Sequence, residues 1–209
     1  MTAVNNARNL RILTAVNSVW STVMGLIGPF YVLYIKDIAG GLDQLGIAYA
    51  ILIFTQAVAS YYLGRFSDRH GRKALIIASA YCDALILFLF TLIGSSFQLF
   101  ILQAALGVTN AVAGIGKQAL LGDLTEKTTR GLEIGKFNAI VGIFSAAGIL
   151  AGGILAKSYG IKPIFYAASV SVVVSTTLLF FIREEAPEGK LSMIKNPAHI
   201  ASKEFGSDN

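Results

Sequence analysis

The sequence predicts an all-α membrane protein of six transmembrane helices, and three observations carry that prediction. Charge is scarce, apolar residues fall in long uncharged runs, and basic residues gather between alternate runs. Of 209 residues, 55% are hydrophobic and only 14% charged, and the mean hydropathy is +0.65. A soluble chain carries about 25% charged residues to cover its wetted surface. Six apolar runs stand out, at residues 12–35, 45–63, 74–93, 97–116, 137–156 and 163–182. Each approaches the roughly 20 residues that cross a bilayer core. Hydrocarbon offers no partner to an unpaired backbone group, so each run must be helical. The short alternating segments of a membrane barrel are not what these runs look like.

Taken in order, the first run follows Arg8 and Arg11. It is too long for a signal-peptide core and no small-residue cleavage site follows it, so it reads as an uncleaved anchor. Asn17, Trp20, Ser21, Met24 and Gly28 recur at helical spacing on one face. The outer connections are short, at residues 36–44, 94–96 and 157–162, whereas the inner segment 117–136 is expected to be the long one. The third run holds Cys82, a single cysteine with no partner for a disulfide within the chain. Beside it is Asp83, near the middle of the run, where a carboxylate costs roughly 2.5–3.5 kcal/mol on insertion scales. Asp83 therefore has two readings, a hydrogen bond to a neighbouring helix or a coupling carboxylate. In the fourth run Gln103, Asn110 and Lys117 are seven apart on one helical face, with Gly107 and Gly114 between them. The fifth run carries Gly142, Gly148, Gly152 and Gly153, small residues that let helices approach closely. After the sixth run the composition turns polar, dividing the chain into a bundle at 1–182 and a cytoplasmic tail at 183–209.

The net charge of +5 reads as topology rather than as a nucleic-acid surface. With the amino terminus inside, 14 of the 17 Lys and Arg residues fall on the inner side and only Lys36, Lys157 and Lys162 outside. That asymmetry places both termini in the cytoplasm and the chain in the cell membrane, with lipid as a partner and no nucleic acid. His70 and His199 are the only histidines. Neither a metal pair nor a catalytic triad nor a phosphate loop can be assembled, so no enzyme activity, metal or cofactor is expected. A faint repeat at an offset of 89 relates Gly64, Gly71 and Lys73 to Gly153, Gly160 and Lys162. One copy is inside and the other outside, as two inverted three-helix units require.

Between the second and third runs the chain reads Gly64-Arg65-Phe66-Ser67-Asp68-Arg69-His70-Gly71-Arg72-Lys73. This resembles the signature segment of the major facilitator superfamily, in which a glycine and an acidic residue precede Arg-x-Gly-Arg-Lys. Asp68, Arg69, Gly71, Arg72 and Lys73 match, and Phe66 replaces a leucine. The resemblance implies one six-helix half of such a transporter, the amino-terminal one, with Gly64 to Lys73 acting as a conformational latch against the other half. It also implies that the first and fourth spans line the solute cavity, which makes Asn17, Trp20, Ser21, Met24, Gln103, Asn110 and Lys117 candidates for it. Gln103 stands where the family pattern has an arginine, and Ile149 where the glycine-rich motif of drug:proton antiporters has a proline. Asp123 with Arg130 resembles the family's pattern after the fourth span. The expected activity is secondary transport of a small solute, drug efflux by proton antiport being the branch most resembled. Such transporters have about twelve spans in two halves. The expectation is therefore a homodimer or a separately encoded second half. The alternative is a non-transporting six-helix binding or assembly protein, or an inactive truncated fragment.

Overall fold

The computed structural model describes residues 2–70 and 72–181, with side chains at all of these except 2–5, 37, 39, 64–70 and 72. The expected tail at 183–209 and Gly71 lie outside the described residues. Six α-helices follow one another: α1 (Thr2–Ala39), α2 (Leu42–His70), α3 (Arg72–Phe90), α4 (Ser96–Leu124), α5 (Arg130–Tyr159) and α6 (Lys162–Thr177). A 3-10 turn at Leu178–Phe181 completes the last one. Each of the six is long and apolar enough to cross a membrane.

The connections are shorter than the hydropathy runs imply. Only Gly40 and Gly41 separate α1 from α2, and Gly40 has φ +83°, a left-handed turn that suits glycine. Gly160 (φ +76°) ends α5 in the same way, its N–H donating to the Ala156 carbonyl at 3.0 Å. Two expectations need correction. The inner segment 117–136 is mostly helix, because α4 continues to Leu124 and α5 begins at Arg130. Leu120, Leu121 and Leu124 remain buried there, so burial holds the helix beyond the hydrophobic run. Arg130 then closes the turn by donating to the Gly122 carbonyl at 2.9 Å and to Thr125 Oγ1 at 3.2 Å. The glycine-framed segment 64–73 is likewise two helix ends, α2 running through His70 and α3 starting at Arg72.

Packing sorts the helices into two layers. α1 packs chiefly against α5 and α2 chiefly against α4, while α1 and α4 touch each other less. The front layer is therefore α2–α4–α1–α5. α3 lies behind α4, α6 lies behind α1, and the two pack on each other. Replacing every helix by its counterpart three places away turns the α1–α5 pair into α4–α2, and α1–α6 into α4–α3. That exchange is the signature of two inverted three-helix repeats.

The closest contacts lie on the α2–α4 and α1–α5 seams. Gly107 faces Leu52, Thr55 and Gln56, and Gly148 faces the Thr22 backbone. Thr22 Oγ1 donates to the carbonyls of Ser18 at 2.8 Å and Phe144 at 3.3 Å.

Two apolar cores fill the bundle. The larger, at the far end from the amino terminus, gathers Phe90, Leu99, Phe165 and Val172 with Tyr31 and Tyr34 against it. The smaller, at the amino-terminal end, is built on Leu13, Ile76, Ile77, Leu120 and Leu179.

Candidate solute cavity

Between the two cores lies a cavity of about 290 Å³, walled by α1, α2, α3, α4 and α6. α1 and α4 touch little, so side chains on their facing surfaces border space instead of a neighbouring helix. Of the sequence-derived candidates, Asn17, Trp20, Asn110, Lys117 and Asp83 line this cavity. The seven-residue spacing on α4 brings Asn110 and Lys117 to it, with Gly114 between them. Asn17 spends one amide N–H on the Leu13 carbonyl at 2.9 Å. Trp20 also packs on the far-end core, which fixes one side of its indole.

Gln103, Ser21 and Met24 do not line it. Gln103 is fully buried, and neither its amide nitrogen nor its amide oxygen has a hydrogen-bond partner among the described residues. Met24 packs against the far-end core. Gln103 and Met24 meet protein in place of the cavity.

Sequence reasoning missed Gln56, Ser79, Ser175 and Thr176, which also line the cavity. Gln56, an uncharged amide inside an apolar span, was the legible signal. The hydroxyls gave none. Ser79 bonds the Ile76 carbonyl, and Ser175 and Thr176 bond the Val172 carbonyl, as such residues do in any apolar helix.

Asp83 is buried at the cavity wall, and Thr109 of α4 donates its hydroxyl to Asp83 Oδ1. Thr109 is itself buried, so the pair ties α3 to α4 within the membrane. A second polar tie runs from Ser169 of α6 to the Ala84 carbonyl of α3 at 2.7 Å. A third joins Tyr34 of α1 to the carbonyl of Phe90, the last residue of α3, at 2.7 Å. Cys82, next to Asp83 in α3, is exposed.

The glycines of α5 divide by role. A Cβ on Gly148 would collide with the Thr22 backbone, and one on Gly152 would come within 2.5 Å of the Leu26 carbonyl oxygen. Gly25 of α1 is pressed in return against the Ser145 carbonyl. Gly153 meets only the ring of Phe30, at 3.3 Å. Gly142, expected to pack in the same way, faces open space and has no such part within this bundle.

Of the segment 64–73, the position of one functional side chain is defined. Lys73 Nζ donates to the Phe180 carbonyl at 2.9 Å, holding the start of α3 to the end of the sixth span. The side chains of Asp68, Arg69 and Arg72 lie outside the described residues, as do Gly64 and Gly71 for any close contact.

Comparison with known proteins agrees with this architecture. Residues 13–209 match the family model of the Major Facilitator Superfamily. The chain is 32% identical to the MFS-type transporter YitZ of Bacillus subtilis over 154 residues, 74% of this chain and 94% of that protein. It is 30% identical to the multidrug resistance protein MdtG of Citrobacter koseri over 95% of this chain and 53% of MdtG. The MdtG of Escherichia coli gives 30% identity over 96% of this chain and again 53% of the relative. The chain thus spans about half the length of the MdtG proteins it matches.

Proposed function

This chain belongs to the Major Facilitator Superfamily, and from that premise we propose that it is the amino-terminal six-helix half of a secondary transporter that exports small amphipathic solutes by alternating access. The observation that carries the reading is the cavity between α1 and α4. It combines amides (Asn17, Gln56, Asn110), one indole (Trp20) and one cation (Lys117) in an otherwise apolar bundle. Polar groups at this depth are expensive unless they face a cavity or partner. At about 290 Å³ the space is at the lower edge of small-molecule sites, which run from about 300 to 1,000 Å³. A second bundle facing the α2–α4–α1–α5 layer would enlarge and close it.

That second bundle is another copy of this chain or a separately encoded half. Supporting it are the exposed large apolar residues of the flanking front helices, Phe54, Tyr61 and Tyr62 on α2 and Ile143, Leu150 and Ile154 on α5. A multidrug-type solute range follows the printed name of MdtG. Asp83 is the only carboxylate among the described residues lining the cavity, and the reading assigns proton coupling to it. The distribution of Lys and Arg supports a cell-membrane location with both termini cytoplasmic. The segment 64–73 then serves as the latch between halves. The reading requires no enzymatic step.

The test is uptake of a fluorescent amphipathic cation by inverted proteoliposomes containing only this chain, with an imposed pH gradient. The protein's mass in nanodiscs is measured alongside. Flux from a dimer, lost in Asn110→Leu and uncoupled from pH in Asp83→Asn, supports the proposal. A monomer without flux, and without gain of flux on adding a co-purified second half, overturns it in favour of a non-transporting membrane protein.

A further inference from the structure

A second and larger cavity lies away from the solute cavity. It has a volume of about 720 Å³ and sits between the amino-terminal halves of α1 and α5. On α1 it is lined by Leu10, Arg11, Thr14 and Ser18, whereas Leu13, Val16, Asn17 and Trp20 border the solute cavity. At roughly 100° per residue the two sets are centred about 120° apart around the helix. Backbone contact closes the α1–α5 seam at Gly25, Gly148 and Gly152. Nearer the amino terminus α5 presents Phe137, Ile140 and Phe144, and there the cleft opens.

The body of the cleft is apolar, from Leu10, Val19, Leu124, Phe137 and Ile140. Its rim carries both signs of charge, Arg11 and Lys136 with Glu126 and Glu133. The Glu126 backbone N–H holds Glu133 there by donating to its Oε2 at 3.3 Å. Deeper in the cleft Ser18 is 4% exposed, and its hydroxyl has no hydrogen-bond partner among the described residues. A buried hydroxyl without a partner is costly, so an occupant that brings an acceptor to it is favoured. An apolar wall, a rim of mixed charge and an orphan hydroxyl together suit a peptide, which supplies apolar side chains, charges of both signs and main-chain carbonyls.

We infer that the cleft is a docking site for this chain's own segment 190–195, which lies outside the described residues. The segment reads Lys-Leu-Ser-Met-Ile-Lys, an apolar stretch with a cation at each end. Leu191, Met193 and Ile194 enter the apolar body, where the unbranched methionine adapts to the irregular wall. Lys190 and Lys195 meet the carboxylates of Glu126 and Glu133. Just upstream, Glu184, Glu185 and Glu188 supply the opposite charge for Arg11 and Lys136. The chain reaches easily. The 3-10 turn at Leu178–Phe181 packs on α1, and Leu179 shares the core built on Leu13. From there the segment has only to round α1, whose diameter with side chains is about 10–12 Å. The residues from Phe181 to Leu191 extend to roughly 33 Å. So short a tether gives the segment an effective concentration of about millimolar at the cleft, which a free ligand rarely matches. The inference does not depend on transport.

The experiment is disulfide cross-linking of the full chain in nanodiscs, with Cys82→Ser removing the single native thiol. Ala15→Cys places a thiol in the cleft and Ile194→Cys one in the segment. Leu132→Cys, on α5 at the same end but outside the cleft, serves as the comparison for Ile194→Cys. Under a mild oxidant, peptide mass spectrometry is expected to show the 15–194 link forming about tenfold faster than the 132–194 link, as docking implies. Lys190→Glu with Lys195→Glu should slow the 15–194 link about tenfold, and adding Glu126→Lys with Glu133→Lys should restore it. Ala15, Glu126, Leu132 and Glu133 are exposed or half-buried, so these variants leave the cores intact. Equal rates for the two links overturn the inference. So does a 15–194 rate that ignores the reversal of charge, which would leave the cleft to lipid or solvent.

Discussion

The two ends of the bundle are built from the same six helices and packed differently. At the far end, Phe165 and Phe90 are fully buried with ring centroids 5.9 Å apart, and Tyr31 meets Phe90 edge-on at 5.3 Å. Gly148 and Gly152 bring α5 onto the α1 backbone, and Gly107 brings α4 onto α2. Toward the amino-terminal end the packing loosens, leaving a cavity of about 290 Å³ between the two cores and one of about 720 Å³ between α1 and α5. Interlocked aromatic rings and backbone contact fill the far end. The α1–α5 seam opens where Phe137, Ile140 and Phe144 stand in place of glycine.

The largest effect expected from this contrast is at the aromatic core. Phe165→Ala should destabilise the bundle by about 3–5 kcal/mol, the range for losing a fully buried ring. The check is unfolding in mixed micelles followed by tryptophan fluorescence, and a loss near zero would mean that the far end is not the stable one. Next comes Gly148→Val, where the new side chain meets the Thr22 backbone. Overpacking of this kind costs about 1–3 kcal/mol, while Gly142→Ala, in open space, should stay within about 0.5 kcal/mol. Equal losses at both glycines would remove the α1–α5 seam as the cause. The smallest effect is that of Tyr34→Phe, which deletes the bond to the Phe90 carbonyl and should cost about 0.5–1.5 kcal/mol. Melting curves of the wild type and variant in one detergent measure it.

The amino-acid sequence alone determined the class, the number of spans and the family resemblance. Bilayer thickness and the need to satisfy every backbone group leave a 20-residue apolar run one form, so hydropathy is enough. The offset of 89 was a faint sign of the inverted repeat, which the pairing of the helices then drew. Periodicity also put Asn110 and Lys117 on one face. What that face meets was decided by tertiary structure. Lipid and protein are equally apolar, so the sequence does not mark where one helix leaves another. Hence Gln103 shares the face of Asn110 yet is buried in protein, and Gly142 shares the motif of Gly148 yet touches nothing. The partner of Asp83, the extension of α4 past residue 116 and the cleft beside Ser18 likewise follow from how the helices cross, which side-chain periodicity along a single helix does not encode.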